Sequence, residues 1–129
     1  MNIKILLVDD NAIFLAAMRH LLARVAGVEV IAQAMDGLEA LVTFDQLQPD
    51  LVLSDISMPV MTGFELANIL QHRPKPPVVV FLSAHDDASY VTSAKELGAL
   101  ALVNKADVVQ DLLPILQSLV AKNTTQGNP

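Results

Sequence analysis

Apolar residues along this chain fall into two alternating spacings. Short apolar-rich runs occur at Ile3–Val8, Val28–Ala34, Leu51–Ser54, Val78–Leu82 and Leu100–Val103. Runs this short with little polar alternation predict strands buried on both faces. Between them lie longer stretches with apolar positions three and four apart, the spacing of an amphipathic helix. The first helix is expected from Ala12 to Ala26, with Ile13, Phe14, Met18, Leu21, Leu22 and Val25 on its apolar stripe and Gly27 as its stop. The second starts near Asp36-Gly37 and carries Leu38, Leu41, Val42 and Phe44, and Pro49 separates it from the next strand. Thr62 reads as the N-cap of a third helix over Gly63–His72, closed by Pro74, Pro76 and Pro77. A fourth covers about Asp87–Leu97 and ends at Gly98; a fifth lies within Asp107–Ala121. Pro114 leaves two readings of that last helix. Either Asp111 caps a helix that begins at Leu112, or the helix starts earlier and kinks. The polar segment Asn123–Pro129 is expected to fray.

Five strand–helix alternations predict an α/β fold: a parallel sheet with right-handed crossovers and helices on both faces. Ligands of such sheets bind beyond the carboxyl ends of the strands. Four of the runs end in polar residues: Asp9 and Asp10, Asp55, Ser83, and Lys105. Taken singly, each has a plain structural reading. Asp10 or Asn11 caps a helix, Asp55 bonds turn amides, Ser83 caps a helix or turn, and Lys105 is solvated. Taken together, they place three carboxylates, a hydroxyl and an ammonium at one sheet edge. Clustered carboxylates repel, and Mg²⁺, or Mn²⁺ in its place, offsets that repulsion through oxygen ligands. A carboxylate beside such a cation serves as a nucleophile toward phosphorus, with lysine and serine contacting the phosphoryl oxygens.

Composition narrows the possibilities. The 129 residues suffice for one domain with a core, and the 53% hydrophobic content suits a doubly covered sheet. With no cysteine, thiolate and disulfide chemistry is excluded. The longest apolar stretch, Ala12–Met18, is far short of the about 20 residues that span a bilayer. The start shows no secretory pattern, so a cytoplasmic protein without a membrane association is expected. A formal charge of −6 argues against direct nucleic-acid binding by this segment. Asp9, Asp10, Asp55, Asp86 and Asp87 all fall at or just after proposed strand ends, which reads as a cation site.

The ordered motifs Leu7-Val8-Asp9-Asp10, Pro49-Asp50-Leu51-Val52-Leu53-Ser54-Asp55-Ile56-Ser57-Met58-Pro59 with Gly63, Ser83-Ala84, and Gly98-Ala99 with Lys105 resemble the receiver domain of two-component response regulators. The match runs over about Ile3–Ala121. It implies a flavodoxin-like (βα)5 fold with strand order 2-1-3-4-5, a receiver domain over residues 1–122, and a tail or linker start over 123–129. It implies that Asp55 accepts a phosphoryl group from a sensor histidine kinase or phosphotransfer protein. Asp10, Asp55 and the Ser57 carbonyl would hold Mg²⁺ directly, and Asp9 largely through water. Ser83 and Lys105 would contact the phosphoryl group, with at most slow self-catalysed transfer and hydrolysis. Phosphorylation would then change the surface of helix four, strand five and helix five, and a phosphorylation-dependent homodimer is allowed.

Two positions depart from the family pattern. Leu102 stands where strand five usually carries an aromatic, and Ala106 stands where a proline often follows the lysine. Receivers joined to LuxR-type helix-turn-helix outputs often lack that proline, and Gly27-Val28-Glu29-Val30-Ile31-Ala32 with Asp36-Gly37 is similar to that subgroup, which makes transcriptional control the expected output. Helix four carries mostly small apolar residues, Ala88, Val91, Ala94 and Leu97, and reads either as a movable signalling face or as an ordinary short helix. Ala84 leaves the site open, while His85 and Ser57 lie where the family tunes acyl-phosphate lifetime; His85 is read as a solvated loop residue. His20, His72, Met58 and Met61 suggest no chemistry. A haloacid-dehalogenase-like phosphatase requires an acid where Ser57 stands. A flavin carrier requires a phosphate-cradling loop where Asp9-Asp10-Asn11 stand. A receiver that signals without phosphate is disfavoured by the complete acidic set.

Overall fold

A computed structural model describes residues 2–84 and 87–126, with side chains through residue 123. His85, Asp86 and the end of the polar tail, 127–129, lie outside the described residues. Five parallel strands, β1 (Ile3–Val8), β2 (Val28–Ala34), β3 (Leu51–Asp55), β4 (Val78–Ser83) and β5 (Ala101–Asn104), form one sheet in the order 2-1-3-4-5. The helices are α1 (Ala12–Leu22), α2 (Gly37–Leu47), α3 (Gly63–Leu70), α4 (Ala88–Glu96) and α5 (Leu113–Gln126).

Strand alternation divides the core into two layers. Ile3, Ile5 and Leu7 of β1, with Leu51, Leu53, Val80, Leu82 and Val103, pack against Leu15, Met18 and Leu22 of α1 and Leu116 of α5. Leu6 and Val8, with Val52 and Phe81, face the opposite way, onto Ala40 and Phe44 of α2, Leu66 and Leu70 of α3, and Ala94 of α4. Both faces are covered, which accounts for strands with almost no polar side.

Local capping chemistry sets most helix starts. Asn11, Asp36 and Asp87 accept main-chain N–H bonds at the starts of α1, α2 and α4. Thr62 and Glu65 form a reciprocal capping box at α3. The ends of α1 and α3 fall short of expectation. α1 stops at Leu22 because Arg24 and Val25 donate three residues back, to the Leu21 and Leu22 carbonyls, and tighten the chain before Gly27 turns it at φ +88°. α3 ends at Leu70, and the amides of His72 and Arg73 make the same three-back bonds.

The earlier-start reading of the last helix holds, and Asp111 is not its cap. A 3₁₀ turn over Lys105–Asp107 runs into a π turn over Val108–Leu112 and then into α5. The wide turn falls where the Pro114 ring would otherwise press on the carbonyl four residues back. α5 continues to Gln126, past the expected end at Ala121.

α4 is lightly anchored, with Ala94 its one buried residue. Tyr90 adds a second hold. Its ring stands edge-on to Phe64 of α3 at 5.6 Å, and Phe64 stands edge-on to Phe81 of β4 at 4.9 Å. Leu102, half-buried, packs against this same layer.

Candidate functional site

Strand register brings the polar strand ends together. Val8 pairs with Ser54, Asp55 with Leu82, and Ser83 with Asn104. Asp9, Asp55, Ser83 and Lys105 therefore stand side by side at the carboxyl edge of β1, β3, β4 and β5. Asp55 and Ser83 are the last residues of their strands rather than the first loop residues. Asp9, Asp55 and Ser83 are buried, whereas Asp10 and Ser57 are exposed.

Asp9 is held at both oxygens. Its Oδ1 accepts the Asn11 amide at 2.8 Å, and its Oδ2 accepts Lys105 Nζ at 2.7 Å. Lys105 Nζ also lies 3.5 Å from Asp55 Oδ1 and 4.4 Å from the centroid of the Phe14 ring. The Ile56 amide donates to Asp55 Oδ1 at 2.8 Å. Burial, and secondarily the negative charge of Asp9, push the Asp55 carboxyl above its ordinary value; Lys105 and the Ile56 amide oppose the rise without cancelling it.

Carboxylate oxygens of Asp9, Asp10 and Asp55 lie within 4.8 Å of one another. A single ammonium offsets three carboxylates, so the set retains negative charge and oxygen donors suited to a hard divalent cation such as Mg²⁺ or Mn²⁺. The donor chemistry fits that ion. Asp87, read from sequence with the cation cluster, instead caps α4: its Oδ1 accepts the Ser89 amide at 2.9 Å.

The loop after β3 is shaped for close approach. Gly63 donates its amide to the Ile56 carbonyl at 2.8 Å, and a Cβ at Gly63 would lie 2.1 Å from the Asp55 carbonyl oxygen. Val60 has φ +73°, a left-handed conformation that β-branched residues avoid, within a three-residue turn closed by Met61 N–H donating to Pro59 O.

Phe14 and Gly63 exceed the roles read for them. Phe14 packs on the apolar stripe of the first helix, as its spacing predicts. Nothing local in the sequence signals that Lys105 crosses over its ring. Gly63 belongs to the motif after β3, and its role in admitting α3 against the Asp55 main chain is visible only in three dimensions.

A doubly covered 2-1-3-4-5 parallel sheet with an acidic pocket and a lysine at its carboxyl edge defines a flavodoxin-like α/β fold. Residues 5–117 match the family model described as response regulator receiver domain. The chain belongs to that family, the receiver domains of two-component signalling. It is 37% identical over 98 residues to the transcriptional regulatory protein DegU of Brevibacillus brevis, covering 76% of this chain and 42% of that protein. It is 36% identical over 126 residues to protein-glutamate methylesterase/protein-glutamine glutaminase 5 of Myxococcus xanthus, covering 95% of this chain and 36% of that protein. Among solved structures it resembles a LuxR-family two-component response regulator from Aurantimonas sp. SI85-9A1 at TM-score 0.80 and 28% identity, covering 92% of this chain and 87% of that one. The chain thus spans less than half the length of these two curated relatives. Among the described residues no helix is long and apolar enough to cross a membrane.

Proposed function

We propose that Asp55 is the phosphoacceptor, receiving a phosphoryl group from a phosphohistidine of a sensor kinase or phosphotransfer protein. The observation that carries this reading is the buried strand-end carboxylate of Asp55, 3.5 Å from Lys105 Nζ and clustered with two further carboxylates. In the transfer, an Asp55 oxygen bonds to phosphorus as the P–N bond breaks, and the electron pair returns to the imidazole nitrogen. Lys105 neutralises charge on the phosphoryl oxygens, and the Ser83 hydroxyl donates a hydrogen bond to one of them. Asp10, Asp55 and the Ser57 carbonyl would hold the divalent cation directly. Asp9, with both oxygens already engaged by Asn11 and Lys105, is suited to a water-mediated part. When bound, the cation supplies charge neutralisation for the incoming phosphoryl group. The raised Asp55 carboxyl remains a nucleophile, since carboxylate basicity and nucleophilicity rise together.

The switch surface is α4, β5 and α5, because α4 is lightly anchored, with Ala94 its one buried residue, and follows β4 in the chain. The chain signals as a cytoplasmic phosphoacceptor rather than as an enzyme with turnover. The DegU and LuxR-family similarities favour transcriptional control by an effector outside this segment, with phosphorylation-dependent pairing of two receivers as a means of control. The methylesterase relative supplies the alternative output, an effector enzyme. A DNA-binding helix-turn-helix encoded beside this segment would support the first reading, and an esterase domain would replace it.

Phosphoramidate, a small P–N phosphodonor, tests the reading directly. The chain should take up one phosphoryl group with Mg²⁺ and none with EDTA, and Asp55→Asn should take up none. Equal uptake by Asp55→Asn would overturn the assignment.

A further inference from the structure

We propose that Phe14 is a positioning residue for Lys105, holding the ammonium over the acidic pocket through the face of its ring. The proposal rests on the phosphoacceptor reading above for its functional consequence, but its geometry is independent of it.

Four residues close a ring of contacts around the ammonium. Asp9 Oδ1 accepts the Asn11 amide at 2.8 Å. Asn11 Oδ1 accepts the Phe14 amide at 3.1 Å, which fixes the first turn of α1 and so the origin of the Phe14 side chain. The Phe14 ring lies 4.4 Å from Lys105 Nζ, within the range of a cation–π contact. Lys105 Nζ returns to Asp9 Oδ2 at 2.7 Å. One carboxylate thus positions both the helix that carries the ring and the ammonium that rests on it.

The consequence concerns where the charge sits. Lysine has a flexible four-carbon stem and a strongly hydrated head, so hydration favours swinging it outward. Asp9 alone would permit many stem conformations that keep one hydrogen bond. The ring occupies one side of the ammonium with a negative quadrupole face, and Nζ stays 3.5 Å from Asp55 Oδ1. The Lys105 side chain is 19% exposed, which strengthens the ring contact relative to one in open water. An aliphatic residue at position 14 would fill the same space against Leu15, Met18 and the rest of that layer without offering this face.

Trifluoroberyllate, a phosphoryl mimic observed by ¹⁹F NMR with Mg²⁺, provides the test on the 129-residue chain. Phe14→Leu should weaken trifluoroberyllate binding roughly three- to tenfold. It should not weaken Mg²⁺ binding titrated alone, since loosening an ammonium from the carboxylates favours the cation, and Phe14→Tyr should restore trifluoroberyllate binding. Unmutated protein without metal should show Lys105 ε-methylene protons moved upfield by the ring current, a readout that survives even if Phe14→Leu folds poorly. Binding by a folded Phe14→Leu within twofold of the original, a Phe14→Tyr no better than Phe14→Leu, or unshifted ε-methylene protons would each overturn the proposal. If the unmutated chain binds no trifluoroberyllate, the phosphoacceptor reading fails and this one with it. If it binds and Phe14→Leu binds equally, this inference alone fails.

Discussion

Asp55 carries a cost in the folded state that the proposed phosphoacceptor role would explain. Its carboxyl is pushed above the ordinary value of 3.8 by burial first and by the charge of Asp9 second. The native state therefore holds a proton that the unfolded chain has already released as pH rises past 3.8. Stability contributed by this residue falls as pH climbs from there through the folded value, and the penalty is fully present above it. Without metal at neutral pH, Asp55→Asn should be more stable than the original in urea denaturation. That advantage should vanish below 3.8, where both states of Asp55 are protonated. Gly63 is constrained sterically: a Cβ there would meet the Asp55 carbonyl oxygen at 2.1 Å. Gly63→Ala should destabilise the fold by about 1–3 kcal/mol, as overpacking does, with the loss visible in thermal unfolding. The gathering of Asp9, Asp55, Ser83 and Lys105 at one sheet edge is legible in the sequence because each follows an apolar run. The role of Phe14 is not, because its contact with Lys105 joins the first helix to the far end of the chain and leaves no local periodic mark.

At the scale of elements, α4 is tethered by Tyr90 standing against Phe64, which in turn stands against Phe81 of β4. Ala94 adds little apolar area of its own. Phe64→Leu keeps the residue apolar and removes the edge-to-face geometry, worth about 0.5–1.5 kcal/mol beyond area. It should speed amide exchange across Ala88–Glu96 while leaving β1 and β3 protected, as read by exchange mass spectrometry. Uniform exchange change across the sheet would contradict the tether. The strands and the Thr62 cap are legible in the sequence because a short apolar run and a capping residue are both local signals. The early end of α1 is not, since Val25 continues the apolar stripe after the helix has tightened and stopped. The π turn before Pro114 was half legible: proline announces a disturbance, and its form depends on packing of Val108 and Leu112 into the core. Tyr90 carries no signal of its own in the sequence, because a tyrosine among Ala88, Ser89 and Val91 becomes an anchor only when α3 presents Phe64 to it.

For the whole molecule, two covered faces of one sheet provide a rigid frame whose carboxyl edge concentrates negative charge. A cation that binds only the folded pocket must stabilise the fold by mass action, about 2.7 kcal/mol at one hundred times its dissociation constant. Mg²⁺ should therefore raise the unfolding temperature of the unmutated chain, EDTA should reverse the rise, and Asp55→Asn should show much less of it. The sequence gathered the strand-end groups through the general rule for parallel sheets, and the strand order came with the family resemblance. The clustering of aspartates at strand ends points to a cation, whereas the relative depths of buried Asp9 and exposed Asp10 require the fold.

Borohydride reduction converts an aspartyl phosphate into homoserine and so marks the acceptor permanently. After incubation with phosphoramidate and Mg²⁺, peptide mass spectrometry should locate homoserine at position 55 and at no other aspartate. Homoserine at Asp9 or Asp10, or none in a chain shown to be folded and metal-bound, would contradict the account.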